Sequence, residues 1–141
     1  MTKIDFYILQ DTTLEARLAF ACRLAETIYR KGYRLHVHTQ DEAMARQMDE
    51  MLWTFREESY VPHAVVGDDV APVPPVTIGW ESTPEPGVQA MLNLHDEIPE
   101  WFSRVERVAE IINQHQDVLR TKRACWQTYK DRGYPVEAHK L

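Results

Sequence analysis

Ile4-Asp-Phe-Tyr-Ile-Leu-Gln-Asp-Thr-Thr-Leu-Glu15 is the stretch that decides the fold. Its first six residues, Ile4 to Leu9, are β-branched or aromatic and nearly continuous in apolar character, which reads as a buried strand. Thr12 and Glu15 follow at capping-box spacing, where hydroxyl and carboxylate satisfy opposite orphan amides of a first helical turn, so a helix is expected to begin near Thr13. Its apolar stripe is Leu14, Leu18, Ala21, Ala25 and Ile28, and Gly32 closes it before a second strand, Arg34-Leu-His-Val-His38. Thr39 and Glu42 repeat the capping-box spacing, and the next helix turns Met44, Met48, Met51, Leu52 and Phe55 toward a core. Strand, capped helix, strand, capped helix predicts an α/β protein built from βαβ units on a parallel sheet.

Further strand candidates are His63-Ala-Val-Val66, Val76-Thr-Ile-Gly-Trp80 and Val88-Gln-Ala-Met-Leu-Asn-Leu94, separated by breaker-rich loops at 67–75 and 81–87. Phe102 to Asn113 reads as a helical start running into a strand. At 141 residues and 44% hydrophobic content the chain suits one ordinary core, so residues 1–141 are expected to form a single domain. Cys22 and Cys125 lack metal-type spacing and do not suggest a disulfide scaffold. No apolar run reaches membrane-spanning length and the first residues enter a strand pattern directly, which points to a cytoplasmic protein without a membrane partner.

The formal net charge is -6, yet Asp117 to Tyr134 carries Arg120, Lys122, Arg123, Lys130 and Arg132 against only Asp117 and Asp131. A general nucleic-acid binder is disfavoured by the overall charge, whereas a local positive field beside aromatics suits an anionic, partly apolar partner. Helical spacing places Leu119, Arg123, Trp126 and Lys130 on one stripe, and Val118, Thr121, Cys125 and Tyr129 on another that can face the body. Asp117 is the expected N-cap and Gly133 the C-terminal cap. The same segment also reads as a solvated terminal helix whose cations complement its dipole, or as a platform of Arg120, Lys122, Arg123 and Trp126 for single-stranded nucleic acid.

Catalytic chemistry finds little support. The first strand-to-helix turn, Gln10-Asp11-Thr12-Thr13, has no glycine and aims Asp11 where an anion would sit, and no nucleotide-binding motif occurs elsewhere. His36 and His38 share one strand face and, with Asp68 or Asp69 nearby, could hold a metal that activates water, so a small metal-dependent hydrolase is the competing reading. Trp53, Phe55 and Tyr60 crowd a helix end and the loop after it, either as core lids or as anchors of a protein interface.

Phe6-Tyr-Ile-Leu9, Cys22-Arg-Leu-Ala-Glu26, Leu52-Trp-Thr-Phe55, Ser59-Tyr-Val-Pro-His63 and the helix ending Tyr129-Lys-Asp-Arg-Gly-Tyr134 resemble, in this order, the chi subunit of bacterial DNA polymerase III. The resemblance spans nearly the whole chain. It implies a Rossmann-like three-layer fold without nucleotide, metal, cofactor or catalytic activity. It further implies two partners: the psi subunit, which connects chi to the clamp loader, and the acidic C-terminal tail of the single-stranded-DNA-binding protein, with DNA contacted only indirectly. Carried over by position, Arg123 matches the tail-binding arginine, Trp126 an aromatic that is often Tyr, and Ile112 an apolar residue lining the slot for the tail's terminal phenyl ring. Leu119 stands where some members have lysine, leaving Arg120 or Lys122 as the substitutes expected to supply that charge. The psi surface falls on Trp53, Tyr60, Val61, Pro62 and His63.

Overall fold

Residues Met1–Leu141 are described by a computed structural model, whose elements are β1 (Lys3–Ile8), α1 (Leu14–Arg30), β2 (Leu35–His38), α2 (Glu42–Thr54), β3 (His63–Val65), β4 (Val76–Gly79), β5 (Ala90–Asn93), a 3₁₀ turn (Glu100–Arg104), β6 (Arg107–Ile112), α3 (Gln116–Asp131) and β7 (Val136–Lys140). The seven strands form one sheet in the order β3-β4-β2-β5-β6-β1-β7, and every pairing is parallel. The sheet is thus wholly parallel, as the βαβ pattern predicts, and three helices flank it in a Rossmann-like three-layer arrangement.

Strand alternation sorts the core into two. On one face α1 and α2 bury Leu18, Ala21, Ala25, Met48 and Leu52 against Val37, Ile78, Leu92 and Ile111. On the other, α3 and the 3₁₀ turn bury Cys125, Tyr129 and Phe102 against Ile4, Phe6, Met91 and Val108. Each fully buried Val, Leu, Ile, Met or Phe among them contributes about 1.5–3 kcal/mol relative to exposure. That second face has no helix over β3 and β4, where loops 67–75 and 80–86 stand in for one.

The helix starts are shifted from the expected ones. Thr13, not Thr12, caps α1, its Oγ1 accepting from the Ala16 amide at 3.1 Å. Asp41 caps α2 through the Met44 amide at 2.9 Å, while the Thr39 hydroxyl donates to the Gly79 carbonyl instead. His115 caps α3, its Nδ1 accepting from the Asp117 amide at 3.3 Å, so Asp117 lies inside the first turn, where its charge favours the helix dipole. In α1 and α2 the polar residue directly before the helix wins, because only its side chain reaches the third amide. Leu14 leaves the predicted stripe and is 51% exposed. Gly133 does close α3, at a φ of 81° that L side chains rarely adopt. The unforeseen element is β7, which continues the sheet beyond β1.

Candidate functional site

Two strand-to-helix loops meet at the C-terminal ends of β1 and β6. The Gln114 amide donates to the Asp11 carbonyl at 2.8 Å, Gln114 Nε2 to the Leu9 carbonyl at 3.1 Å, and Asn113 Nδ2 to the Thr13 carbonyl at 2.8 Å. In open parallel sheets this rim is where ligands usually enter. Here the loops are tied to each other.

Between α3 and the sheet lies a buried polar cluster. Glu110 on β6 and Lys122 on α3 have side chains 0% and 1% exposed, with Nζ and Oε1 2.7 Å apart. That contact is ionic and not a directed hydrogen bond, because Oε1 has no hydrogen-bond partner. The other carboxylate oxygen accepts from Tyr129 OH at 2.7 Å and Asn93 Nδ2 at 2.9 Å, and Lys122 also donates to the His95 carbonyl at 2.6 Å. Burial, reinforced by the Glu110 carboxylate, pushes the Tyr129 phenol far above its ordinary pKa, so it remains a donor. Burial also holds the Cys125 thiol up at about 11, which makes it a packing residue and not a nucleophile. Lys122, expected as a surface charge for the peptide tail, is therefore a structural cation that fastens α3 to the sheet.

The exposed side of α3 carries the slot. Ile8, Ile112, Arg123, Trp126 and Gln127, with Lys122, line an open cleft of about 360 Å³ at the ends of β1 and β6. The Trp126 ring rests on Phe6 with centroids 4.7 Å apart, and Lys130 Nζ lies 6.0 Å from its centroid. Arg123 is exposed and has no acidic partner, whereas Arg120 is engaged by Asp117 at 3.2 Å. Arg123, Trp126 and Ile112 thus come together, while Arg120 is partly neutralised and Lys122 is withdrawn. Ile8 and Gln127 join them unforeseen; Ile8 is legible as a strand residue, but only the pairing of β1 with β6 brings it beside Ile112.

At the opposite end of the sheet, Trp53 and Tyr60 are 51% and 65% exposed, with ring centroids 5.9 Å apart. They are surface residues, not core lids. The rest of the predicted psi surface divides: Pro62 is half-buried, whereas Val61 and His63 are buried. His63 lies under Trp53, centroids 4.4 Å apart, and its nitrogens meet the Val61 and Asp49 carbonyls at 2.6 and 2.9 Å. Val61 and His63 consequently support the patch from beneath.

The competing metal reading fails on geometry. His36 and His38 share a strand face as expected, but they pack on Trp101, and His38 stacks on His95 with centroids 4.9 Å apart. Gly79 makes room for this, since a Cβ there would lie 3.1 Å from His36 Cε1. Burial depresses the two imidazoles to about 3 and about 4, leaving both neutral. The expected carboxylate is elsewhere: Asp68 accepts from both Arg46 terminal nitrogens at 2.8 and 3.1 Å. Asp5, Glu137 and His139 do converge within 4.8 Å of one another, but Arg107 and Lys3 already neutralise the two acids at 2.8 Å each. No helix is long and apolar enough to cross a membrane.

The family model described as DNA polymerase III chi subunit, HolC, matches residues 1–137. The chain belongs to the DNA polymerase III chi subunit family. The chi subunit of Pseudomonas aeruginosa is 34% identical over 141 residues, covering 100% of this chain and 98% of that one. The Escherichia coli chi subunit is 25% identical over 139 residues, covering 95% of each chain. Among solved structures, the crystal structure of T4 UvsW aligns with a TM-score of 0.71 at 10% identity, covering 99% of this chain and 41% of that one. At that identity the likeness concerns the fold alone.

Proposed function

We propose that this chain is a noncatalytic adaptor of the replication machinery that joins the psi subunit, and through it the clamp loader, to the acidic C-terminal tail of the single-stranded-DNA-binding protein. The observation that carries the reading is the cleft of Ile8, Ile112, Trp126 and Arg123, in which an apolar floor ends at a guanidinium with no acidic partner. Such a cleft suits a peptide that ends in a phenyl ring and several carboxylates: the ring enters between the isoleucines and the indole, and Arg123 takes a carboxylate with a planar pair of donors. The Trp53 and Tyr60 patch at the other end of the sheet is assigned to psi, its two rings serving as anchors of a larger interface.

Bridging requires no tight individual contact. Once psi holds the chain at the clamp loader, a tail many copies of which coat the template is captured at raised effective concentration. DNA itself is then reached only through the protein that covers it, in a cytoplasmic complex without a cofactor. The buried cluster of Glu110, Lys122, Tyr129 and Asn93 fastens α3 to the sheet and so holds the wall of the cleft in place.

The test is peptide titration. A labelled peptide of the tail's last residues should bind the wild-type chain and lose affinity by about 1.5–3 kcal/mol on Arg123→Ala, the usual cost of losing a charged hydrogen-bond partner. Unchanged affinity in both Arg123→Ala and Trp126→Ala removes the slot from consideration.

A further inference from the structure

Among the residues lining the slot Arg123 is the one free cation, Lys130 lying beside the indole outside the lining, and the position one turn before Arg123, Leu119, is apolar. Neither candidate substitute supplies a second charge freely: Lys122 is buried against Glu110, and Arg120 pairs with Asp117. The strand that extends the sheet past β1 provides one. In the parallel register of β1 with β7, Ile4 is beside Val136, Phe6 beside Ala138 and Ile8 beside Lys140. Neighbours in register on a parallel sheet send their side chains to the same face. Ile4, Phe6, Ile8 and Val136 all pack in the cluster under α3, whereas His139 lies on the other face against Asp5 and Tyr7. Lys140 therefore lies on the α3 side, next to the isoleucine that floors the slot. It is exposed and has no acidic partner.

We infer that Lys140 is the second cation of the peptide slot, approaching an acidic peptide from the sheet side while Arg123 approaches from the helix side. The inference rests on the tail-binding reading and adds to it a residue beyond the segment 1–137 that the family model matches. Two cations on different elements, flanking one apolar floor, select a ligand whose carboxylates lie on both sides of its apolar end group. A peptide whose acids cluster on one side engages only one of them.

Titration of the labelled tail peptide into the full chain tests this. Lys140→Gln should weaken binding about three- to tenfold and flatten the dependence on salt, and Lys140→Arg should restore both. Adding Leu119→Lys to the Lys140→Gln chain should recover part of the loss, because it returns a cation to the rim from the helix side. Against a peptide whose acidic side chains are replaced by amides, Lys140→Gln should have no effect; a merely structural role of β7 would weaken both peptides alike and overturns the inference. If Arg123→Ala weakens binding at least tenfold while Lys140→Gln leaves it unchanged, Lys140 is excluded and the slot stands. If neither substitution matters, the tail-binding reading itself falls. Equal melting temperatures of Lys140→Gln and wild type keep the result interpretable.

Discussion

The two exposed aromatic surfaces of this molecule are built in opposite ways. Trp126 is half-buried, backed by Phe6 and bordered by Arg123 and Lys130, and it forms one wall of a cleft. Trp53 and Tyr60 stand out from the body with His63 beneath them, in a stretch of chain that also carries Asp49, Glu50, Glu57 and Glu58. A cleft with a cation at its mouth grips the end of a flexible chain, whereas a raised aromatic pair among acids needs a partner that brings its own concave, non-acidic face. On the proposed reading one body would carry two binding chemistries at opposite ends of one sheet, and the charge sorting would keep the two partners from exchanging places.

The difference also extends beneath the surfaces. The α3 end is fastened by the buried Glu110 and Lys122 pair, and the largest effect is expected there. Lys122→Ala leaves a buried carboxylate without its counter-charge and should lower unfolding free energy by about 3–5 kcal/mol, read by urea denaturation. A loss below about 1 kcal/mol breaks the claim that this end depends on an ion pair. Acid should come next, and it should affect both ends equally. His36 and His38 are neutral when folded, with pKa values of about 3 and about 4 against 6.5 for an unperturbed ring. The unfolded chain therefore binds protons that the folded chain refuses. Stability contributed by these rings is intact above pH 6.5 and falls as the pH drops toward 4, by on the order of a few kcal/mol. His38→Phe should flatten melting temperature against pH over that window; an unchanged slope assigns the acid response to other groups.

Smaller effects separate the surfaces from each other. Arg123→Ala should cost about 1.5–3 kcal/mol in tail-peptide binding while psi copurifies undiminished. Trp53→Ala and Tyr60→Ala should do the reverse, abolishing psi recovery while peptide affinity holds and stability moves by no more than about 0.5 kcal/mol, as is usual for exposed positions. If either substitution impairs both partners, the two ends are coupled and do not act as separate surfaces.

Local patterns in the chain carry most of the architecture. Ile4 to Leu9, Arg34 to His38 and the stripes of α1 and α2 declare themselves because burial on one or two faces leaves a period that needs no tertiary knowledge. The caps read one or two positions early or late, since Thr12, Thr39 and Asp117 match the residue preferences as well as Thr13, Asp41 and His115 do, and only backbone geometry chooses among them. β7 escapes a reading by pattern because Val136-Glu-Ala-His-Lys140 is an exposed edge with little apolar content. The slot is legible as far as Arg123, Trp126 and Ile112. Lys122 is not, because burying an ammonium is favourable only beside Glu110, whose own place inside the sheet reads from the sequence as an ordinary strand charge.

The position of β7 also has a kinetic consequence. β1 is hydrogen-bonded on one side to β6 and on the other to β7, so the earliest strand to leave the ribosome finds its neighbours in Arg107–Ile112 and Val136–Lys140. Local helices can form during synthesis, but the sheet closes around β1 only after the last strand has emerged, and such distant pairing slows folding. The slot floor at Ile8 and the lysine beside it are thus among the last features to form, and a chain truncated before Val136 exposes an unpaired edge of β1 rather than a weaker version of the same site.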